Sequence, residues 1–302
     1  MNNITSLVFA SIFIKLNQKT LVKLSSIVNI QRGIENLKKK DALDAITSTK
    51  STIRKLIAVD NIERFRIKWK AASFYQKYID YSKSTYPKGS KVNLKQDSWF
   101  KQEKIVLKRI SNKLVAALDT KKEKKEDYFY TLDSVQMIWM IDKKSYNIRL
   151  ILAILNSEFM NLYYTTLFSY KKLFSKIQKI FLEELPIPVN IDPNLEKQIV
   201  DKVKKLEKKF IKKDYDELND LVKSLYFSKD ELKQFEKSLK LTYNLKDLPG
   251  LGYNHEYELN KYGIKSIDDL IKCDVNDIID NVPGVGAKTI EKWIKYGKEL
   301  NK

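Results

Sequence analysis

Apolar residues come in short β-branched or aromatic runs along the first 140 residues of the chain. Residues 27–30 form one run that leads into Arg32-Gly33-Ile34, and residues 105–110 and 135–141 form two more. Runs of this length and composition favour strands over helices. Residues 121–127 are all charged and predict a loop. We therefore expect mixed, strand-rich structure over residues 20–140.

The apolar spacing becomes helical further along. Residues 147–167 carry apolar positions three and four apart, which predicts one amphipathic helix. The Leu-Pro-Ile-Pro stretch at 185–188 cannot continue a helix and predicts an extended exit. Residues 195–213 and 214–225 are charged and periodic, which predicts two helices that can form a hairpin. Ser228 with Glu231 is a capping-box signal for the start of another helix.

The last segment contains a repeat. Leu-Pro-Gly-Leu-Gly at 248–252 recurs as Val-Pro-Gly-Val-Gly at 282–286, and each copy precedes a helical stretch. This repeat resembles a tandem helix-hairpin-helix domain. The resemblance implies that each Gly-x-Gly forms a hairpin whose following helix N-terminus binds a DNA phosphate through backbone amides. The residues that it assigns to backbone contact are Gly250, Gly252, Gly284, Gly286, Lys288, Thr289 and Lys292.

The two copies differ in charge. Lys288, Lys292 and Lys295 share one helical face after the second Gly-x-Gly, whereas residues 253–256 after the first contain Glu256 and no lysine. We expect phosphate contact mainly from the second copy. The net charge of −1 over residues 246–302 leaves open a packing or protein-interaction module instead.

Positive charge is concentrated in the first two thirds of the chain. Lys and Arg number 57 against 38 Asp and Glu, and residues 1–193 alone carry a net charge of +17. An excess of this size indicates an anionic partner and says little about fold. The candidates are DNA, RNA and anionic membranes; a lysine-rich surface for solubility would not explain the segregation. Membrane binding is disfavoured because the basic residues are not gathered on one amphipathic helix.

The numbers of cysteine and histidine residues exclude two kinds of site. Cys273 is the sole cysteine and His255 the sole histidine, so an internal disulfide and a Cys/His zinc site are impossible. We expect Cys273 to fill a small apolar space, His255 to lie on the surface, and the compartment to be reducing and cytoplasmic. Residues 7–14 are apolar but too few to span a bilayer and lack the flanks of a signal peptide. They predict a buried strand or helix, or the remnant of an upstream domain.

A second resemblance rests on the order of several motifs. Residues 24–34 resemble the opening strand and Arg-Gly-Ile turn of the TaqI-like C-terminal specificity domain of adenine-specific DNA methyltransferases and fused restriction–modification enzymes. The later matches are residues 57–69, 78–81, 99–110, 116–119, 130–135, the Leu-Asn-Ser helix at 153–164, the Pro-Ile-Pro exit at 185–188 and the helix at 215–231. One half of a type I specificity subunit is similar more distantly.

These patterns together predict an α+β protein. We expect an N-terminal apolar segment at 1–19, a strand-rich target-recognition domain with flanking helices at 20–193, a helical linker at 194–244 and the helix-hairpin-helix tandem at 245–302. A recognition domain needs cations for phosphates and polar side chains for base edges. The predicted contacts are Arg32, Arg64, Arg66, Lys68, Lys108, Arg109, Lys171, Lys172 and Lys176.

Catalytic motifs of that family are missing from the sequence. No two prolines are adjacent, so no Asn/Asp-Pro-Pro-Tyr/Phe motif is present, and no Pro-Asp pair of the usual nuclease signature occurs. We expect no catalytic residue, cofactor or metal in this chain; S-adenosylmethionine and Mg²⁺ would belong to a partner catalytic domain, either in a separate chain or in a larger gene of which this sequence is a piece. The leading interpretation is sequence-specific binding of double-stranded DNA. The alternatives are a structure-selective DNA binder that acts through its hairpins, and one half of a split adenine methyltransferase.

Overall fold

A computed structural model gives the fold of the chain. The structure describes residues 16, 20–37, 42–43, 50–69, 77–82, 86, 91–120, 128–168, 176–233, 245 and 248–300. The predicted apolar run at 7–14, the charged loop at 121–127, and the candidate contacts Lys171 and Lys172 lie outside the described residues. The fold is α+β, as the sequence predicts.

Two compact units divide the chain, one within residues 19–226 and the other containing residues from 227 onward. This division differs from the predicted boundary at 193, because the two helices that follow residue 192 pack on the strand-rich unit. Each unit is described separately below.

The first unit is built on a four-stranded antiparallel sheet. Its strands are β2 (Val28–Arg32), β7 (Lys104–Lys108), β8 (Ala116–Asp119) and β10 (Val135–Met140), in the order β2-β10-β7-β8. Ile30 pairs with Ile138 and Ile138 with Ile105, so apolar side chains meet across neighbouring strands. The strands predicted at 27–30, 105–110 and 135–141 are therefore confirmed.

A smaller sheet packs on one face of this sheet. It contains β3 (Ile53–Ile57), β6 (Lys77–Asp80) and β9 (Tyr130–Thr131), in the order β6-β3-β9. Val106, Ala117 and Val135 from the larger sheet form a buried cluster with Ile57 and Phe129. A two-stranded ribbon, β4 (Ile62–Glu63) with β5 (Arg66–Ile67), also packs near β7 and β8.

Helices cover the opposite face of the larger sheet. The helix α2 (Ile148–Asn156) contacts β7 and β8 and is almost entirely buried. The remaining helices of this unit are α1 (Asp97–Phe100), α3 (Glu158–Phe168), α4 (Lys179–Glu183), α5 (Pro193–Lys208) and α6 (Lys212–Tyr226). Strand β1 (Leu21–Lys23) pairs with β11 (Pro186–Pro188), so the predicted Pro-Ile-Pro exit is extended and lies beside the start of the unit.

The single helix predicted at 147–167 is two helices. Ser157 between α2 and α3 has an extended backbone, with φ −66° and ψ 151°. Its hydroxyl donates to the Ile154 carbonyl at 2.8 Å and accepts from the Met160 amide at 3.1 Å. Apolar spacing alone did not reveal this break, because both helices bury the positions that one continuous helix would bury.

The predicted helical hairpin is present as α5 and α6, which pack on α2. Asp192 caps α5 by accepting from the Leu195 amide at 2.8 Å. The capping box is confirmed as well: Ser228 and Glu231 exchange hydrogen bonds of 2.7 and 3.3 Å, and residues 229–233 are helical. None of the helices in the described part of the chain is long and apolar enough to cross a membrane.

The second unit contains α7 (Tyr253–Lys261), α8 (Ile267–Lys272), α9 (Val275–Asn281) and α10 (Ala287–Leu300) around one buried cluster. Cys273 packs against this cluster as a partly buried side chain, as predicted. His255, predicted at the surface, is partly exposed, and its ring centroid lies 5.8 Å from that of Trp293. The residues next to His255 in sequence are polar, and its apolar neighbour Trp293 belongs to another helix. The local sequence therefore did not indicate this contact.

Candidate nucleic-acid interface

Four of the predicted contacts lie at one end of the four-stranded sheet. Arg32 ends β2 and pairs with Gln136, while Lys108 ends β7 and pairs with the adjacent Val135. Arg109 follows directly, and its neighbour Ile110 forms a bridge with Lys176. Arg32 and Lys108 are two strands apart, about 10 Å, and project from opposite faces of the sheet. The structure therefore gathers cations separated by up to 144 residues of sequence into one basic sheet end.

The two arginines of the sheet end are held by neighbouring acceptors. An Arg32 Nη1 to Glu35 Oε1 distance of 3.4 Å defines one ion pair. The Arg109 Nη1 atom lies 3.3 Å from the Asp133 carbonyl oxygen and 3.7 Å from its Oδ2. A hydrogen bond from Lys95 is the largest cause that holds the pKa of Glu35 below its usual value. Arg109 is therefore the better oriented of the two, because its side chain is 17% exposed, whereas that of Arg32 is 48% exposed and makes one surface ion pair.

The two lysines of the sheet end, unlike the arginines, have no carboxylate partner among the described residues. Across the described ranges, no carboxylate lies within ion-pair distance of Lys108 or Lys176. Lys176 is exposed and Lys108 is half-buried. A lysine without an internal partner is free to pair with a phosphate.

Close packing of two backbone segments explains why the Arg-Gly-Ile turn contains a glycine. A Cβ atom on Gly33 would lie 2.2 Å from the Thr131 carbonyl oxygen and 2.4 Å from that of Leu132. The Ile34 amide donates to the same Thr131 carbonyl at 2.7 Å. Only glycine allows this approach of two backbones, and the approach positions Arg32 beside the 131–136 turn.

Three polar atoms near this turn were missed by sequence reasoning. Thr131 Oγ1, Ser134 Oγ and Gln136 Oε1 are buried and make no hydrogen bond in the described structure. The Gln136 Nε2 atom donates to the Ile177 carbonyl at 3.3 Å, which ties the turn to the segment that carries Lys176. No sequence signal separates these residues from ordinary strand-end polar residues.

The predicted contacts Arg64, Arg66 and Lys68 lie elsewhere, in and after the β4–β5 ribbon. The Arg64 guanidinium carbon lies 5.0 Å from the centre of the Tyr215 ring on α6. Arg66 pairs with Glu63 across the ribbon, and Lys68 Nζ lies 2.7 Å from Glu63 Oε1. These three residues therefore form a separate group beside the helical hairpin, and their contact with DNA stays a prediction.

The Leu-Asn-Ser motif has a structural role in the first unit. Asn156 accepts from the Ala116 amide and donates to the Ala116 carbonyl, both at 2.9 Å. Asn161 does the same with Leu114, at 2.7 and 3.3 Å. The two carboxamides therefore pair with the backbone of Ala116 in β8 and of Leu114 just before it, in place of another strand, which covers this sheet edge.

A buried ion pair stabilises the opposite end of the sheet. Lys104 Nζ lies 2.5 Å from Asp119 Oδ2 and donates to the Phe100 carbonyl at 2.6 Å. Both side chains are almost fully buried. Burial lowers the pKa of Lys104, and attraction to Asp119 opposes that shift. Lys104 follows the predicted Trp-Phe motif, but it is enclosed and cannot contact a ligand.

The second hairpin, residues 282–286, is open at its surface. Gly284 has φ +79°, which the turn requires, and a Cβ atom on Gly286 would meet no described atom within 4 Å. Lys288, Thr289 and Lys292 are exposed on the first two turns of α10. The Thr289 amide already donates to the Gly286 carbonyl at 2.9 Å, so the donors at this helix end are the amides that precede it. This end of α10 presents these donors beside exposed lysines, and its contact with a phosphate stays a prediction.

The first hairpin, residues 248–252, has the same backbone but other side chains. Gly250 also has φ +79°, and Gly252 precedes α7 with open space around it. Glu256 lies in the first turn of α7, where it would repel a phosphate. Trp293 of α10 donates from Nε1 to the Pro249 carbonyl at 3.1 Å. This hairpin therefore takes part in packing the module.

His255 links the two hairpins. A Cβ atom on Gly284 would lie 3.9 Å from its Nε2 atom, and its ring contacts Trp293. The sole histidine, which follows the first hairpin in sequence, therefore packs close to the turn of the second. Groups of three or more His, Cys, Asp or Glu that could hold a metal ion are absent from the residues that the structure describes.

Comparisons with known proteins agree with both resemblances. Residues 54–187 match the family model of the TaqI-like C-terminal specificity domain, and residues 243–297 match that of the SAM-like helix-hairpin-helix tandem. No curated protein sequence matches the chain.

Solved structures are similar in part. Among them is the crystal structure of a type I restriction–modification system S subunit from M. genitalium, with 11% sequence identity and a TM-score of 0.33. The similarity covers 63% of this chain and 39% of that chain.

Proposed function

Residues 54–187 belong to the TaqI-like C-terminal specificity domains and residues 243–297 to the SAM-like helix-hairpin-helix tandems, and on this premise we propose sequence-specific binding of double-stranded DNA. The chain would serve as the recognition part of a restriction–modification system. The basic sheet end is the observation that carries this proposal, because it places two arginines and two lysines at the same end of one sheet.

The two kinds of cation suit two kinds of contact. A guanidinium held by a carboxylate and a carbonyl keeps its planar donors in a fixed direction, which suits the two acceptors of guanine. Lys108 and Lys176 suit phosphates, where a mobile point charge is sufficient. Specific recognition needs both kinds of contact in one place. Arg32 and Arg109 are therefore the proposed base readers.

The second hairpin adds a contact that is independent of sequence. Its exposed helix N-terminus and Lys288 suit one phosphate group. A contact of this kind positions a protein on the duplex without reading bases. We assign this role to residues 284–292, and only a packing role to residues 248–252.

The reaction served would be methylation of adenine at N6. The sequence lacks the Pro-Pro motif that holds a flipped adenine, so the methyl-transfer chemistry would come from a separate catalytic chain carrying S-adenosylmethionine. This chain would select the DNA site, and the partner would catalyse the methyl transfer. A split methyltransferase in which both chains form one enzyme is the closest variant of the proposal.

Selection from a pool of random duplexes tests the proposal. The full chain, alone and with a methyltransferase catalytic chain that lacks its own recognition domain, is expected to enrich one short motif. Methylation of adenine within that motif is expected when the catalytic chain is present. Absence of any enriched motif under both conditions would overturn the proposal.

A second candidate is supported by the open end of α10. If the hairpins dominate, the chain binds duplex or branched DNA without sequence preference. Deletion of residues 246–302 separates the two: the recognition proposal predicts weaker binding with the same preferred motif. Complete loss of DNA binding on deletion would favour the second candidate.

A further inference from the structure

The connection between α5 and α6 is a basic loop that the resemblances leave without a function. Residues 208–213 read Lys-Lys-Phe-Ile-Lys-Lys, and all six are exposed. Phe210 is 38% exposed and Ile211 is 44% exposed. We refer to residues 208–213 as the hairpin tip. It lies outside the matched residues 54–187.

The hairpin tip is anchored to the strand-rich unit through one buried tyrosine. Tyr215 is 1% exposed, and its hydroxyl donates to the Asn156 carbonyl at 2.9 Å. Its ring centroid lies 5.4 Å from that of Phe210 and 6.2 Å from that of Phe65. Because these contacts join the tip to α2 and the β4–β5 ribbon, its charges have a defined place on the unit.

Most of the tip charge is not neutralised within the unit. Lys212 pairs with Asp216. For Lys208, Lys209 and Lys213, the described residues offer no carboxylate within 4 Å. Arg64 adds a guanidinium 5.0 Å from the centre of the same Tyr215 ring. Like charges crowded on one loop repel one another, so the arrangement favours an anionic partner.

We propose that the hairpin tip is a second contact with the DNA phosphate backbone, outside the bases that the sheet end reads. This inference rests on the proposed function. Lysines on a fixed loop neutralise phosphates and release counterions, while Phe210 and Ile211 meet the deoxyribose. The tip therefore adds affinity that does not depend on sequence.

A charge-matched comparison tests the inference. The tip variant is Lys208→Gln with Lys209→Gln and Lys213→Gln. The control is Lys143→Gln with Lys144→Gln and Lys197→Gln, which removes the same charge from exposed positions elsewhere on the unit. Each protein is titrated with a mixed-sequence duplex at several salt concentrations, and its unfolding midpoint is measured.

The tip variant is expected to bind more weakly, with a salt slope smaller by about 0.9 for each phosphate that is no longer neutralised, about 2–3 in all. The control is expected to keep a slope near that of the wild type. Equal weakening in both variants would overturn the inference, since net charge alone would explain it. If the tip variant binds DNA as the wild type does but no longer binds a catalytic partner chain, the inference would also be overturned, because the tip would then bind protein.

The result also separates this inference from the proposal on which it rests. A wild-type chain with no motif preference, whose tip variant still shows a reduced slope, would remove the recognition function and keep the tip contact. If the wild-type chain prefers a clear motif and the tip variant has the same salt slope as the control, the recognition function would stand and the tip contact would be removed.

Discussion

The side chain of Asn156 and the backbone of Ala116 are paired as two strands would be, with hydrogen bonds of 2.9 Å in both directions. This pairing covers β8, the last strand of the larger sheet, and fixes the position of Tyr215 through the Asn156 carbonyl. The sheet that carries the basic end is therefore supported by a helix terminus.

Removal of this carboxamide is expected to destabilise the first unit. Asn156→Ala leaves the buried Ala116 amide without a partner, at a cost of about 1–3 kcal/mol. Urea unfolding of the full chain measures the change. The control Asn29→Ala, at an exposed position on β2, is expected to change stability by less than about 0.5 kcal/mol. Equal effects of both substitutions would contradict the assigned role.

The assignment of Arg109 as a base reader predicts the result of a charge-conserving substitution. Arg109→Lys keeps the charge but loses the planar donors, so discrimination between the preferred motif and a single mismatch falls by about 1–3 kcal/mol. Affinity for an unrelated duplex is expected to stay close to that of the wild type. Competition binding with matched and mismatched duplexes measures both.

Arg149→Lys is the matched control for that substitution. Arg149 pairs with Glu207 at 3.1 Å, away from the basic sheet end. Its replacement is expected to leave discrimination unchanged. Should both variants discriminate as well as the wild type, Arg109 would be removed from the set of base readers.

The asymmetry of the two hairpins predicts unequal roles for two lysines of one module. Lys288→Gln at the start of α10 is expected to reduce the salt slope of duplex binding by about 0.9. Lys261→Gln, at the end of α7, removes the same charge from an exposed position and is expected to leave the slope unchanged. A larger effect from Lys261 than from Lys288 would reverse the assignment.

The buried pair of Lys104 and Asp119 predicts a coupled effect on stability. Lys104→Met leaves Asp119 buried without its cation, so the free energy of unfolding falls by about 3–5 kcal/mol. Adding Asp119→Asn removes the isolated charge but keeps an acceptor for the Phe129 amide, which lies 3.0 Å from Asp119. The double variant is expected to be more stable than Lys104→Met. A double variant that is less stable would show that the two residues act independently.

Patterns local in sequence determined much of this fold. β-branched runs predicted β2, β7 and β10, the capping box at Ser228 was identified from two residues, and the repeated Gly-x-Gly predicted the hairpins. Such signals are readable because they depend on backbone geometry and on neighbours a few residues away.

Only the tertiary structure decided which cations lie near one another. Arg32 and Arg109 lie at the same end of the sheet because β2 and β7 flank β10, whereas Arg64 contacts the helical hairpin through Tyr215. The roles of Ser157 and His255 likewise depend on how they pack, Ser157 at a break between two helices and His255 against a ring from another helix. Composition established that the chain carries a large positive charge. The pairing of distant strands and helices established where that charge lies, because contacts between residues far apart in sequence leave no local pattern.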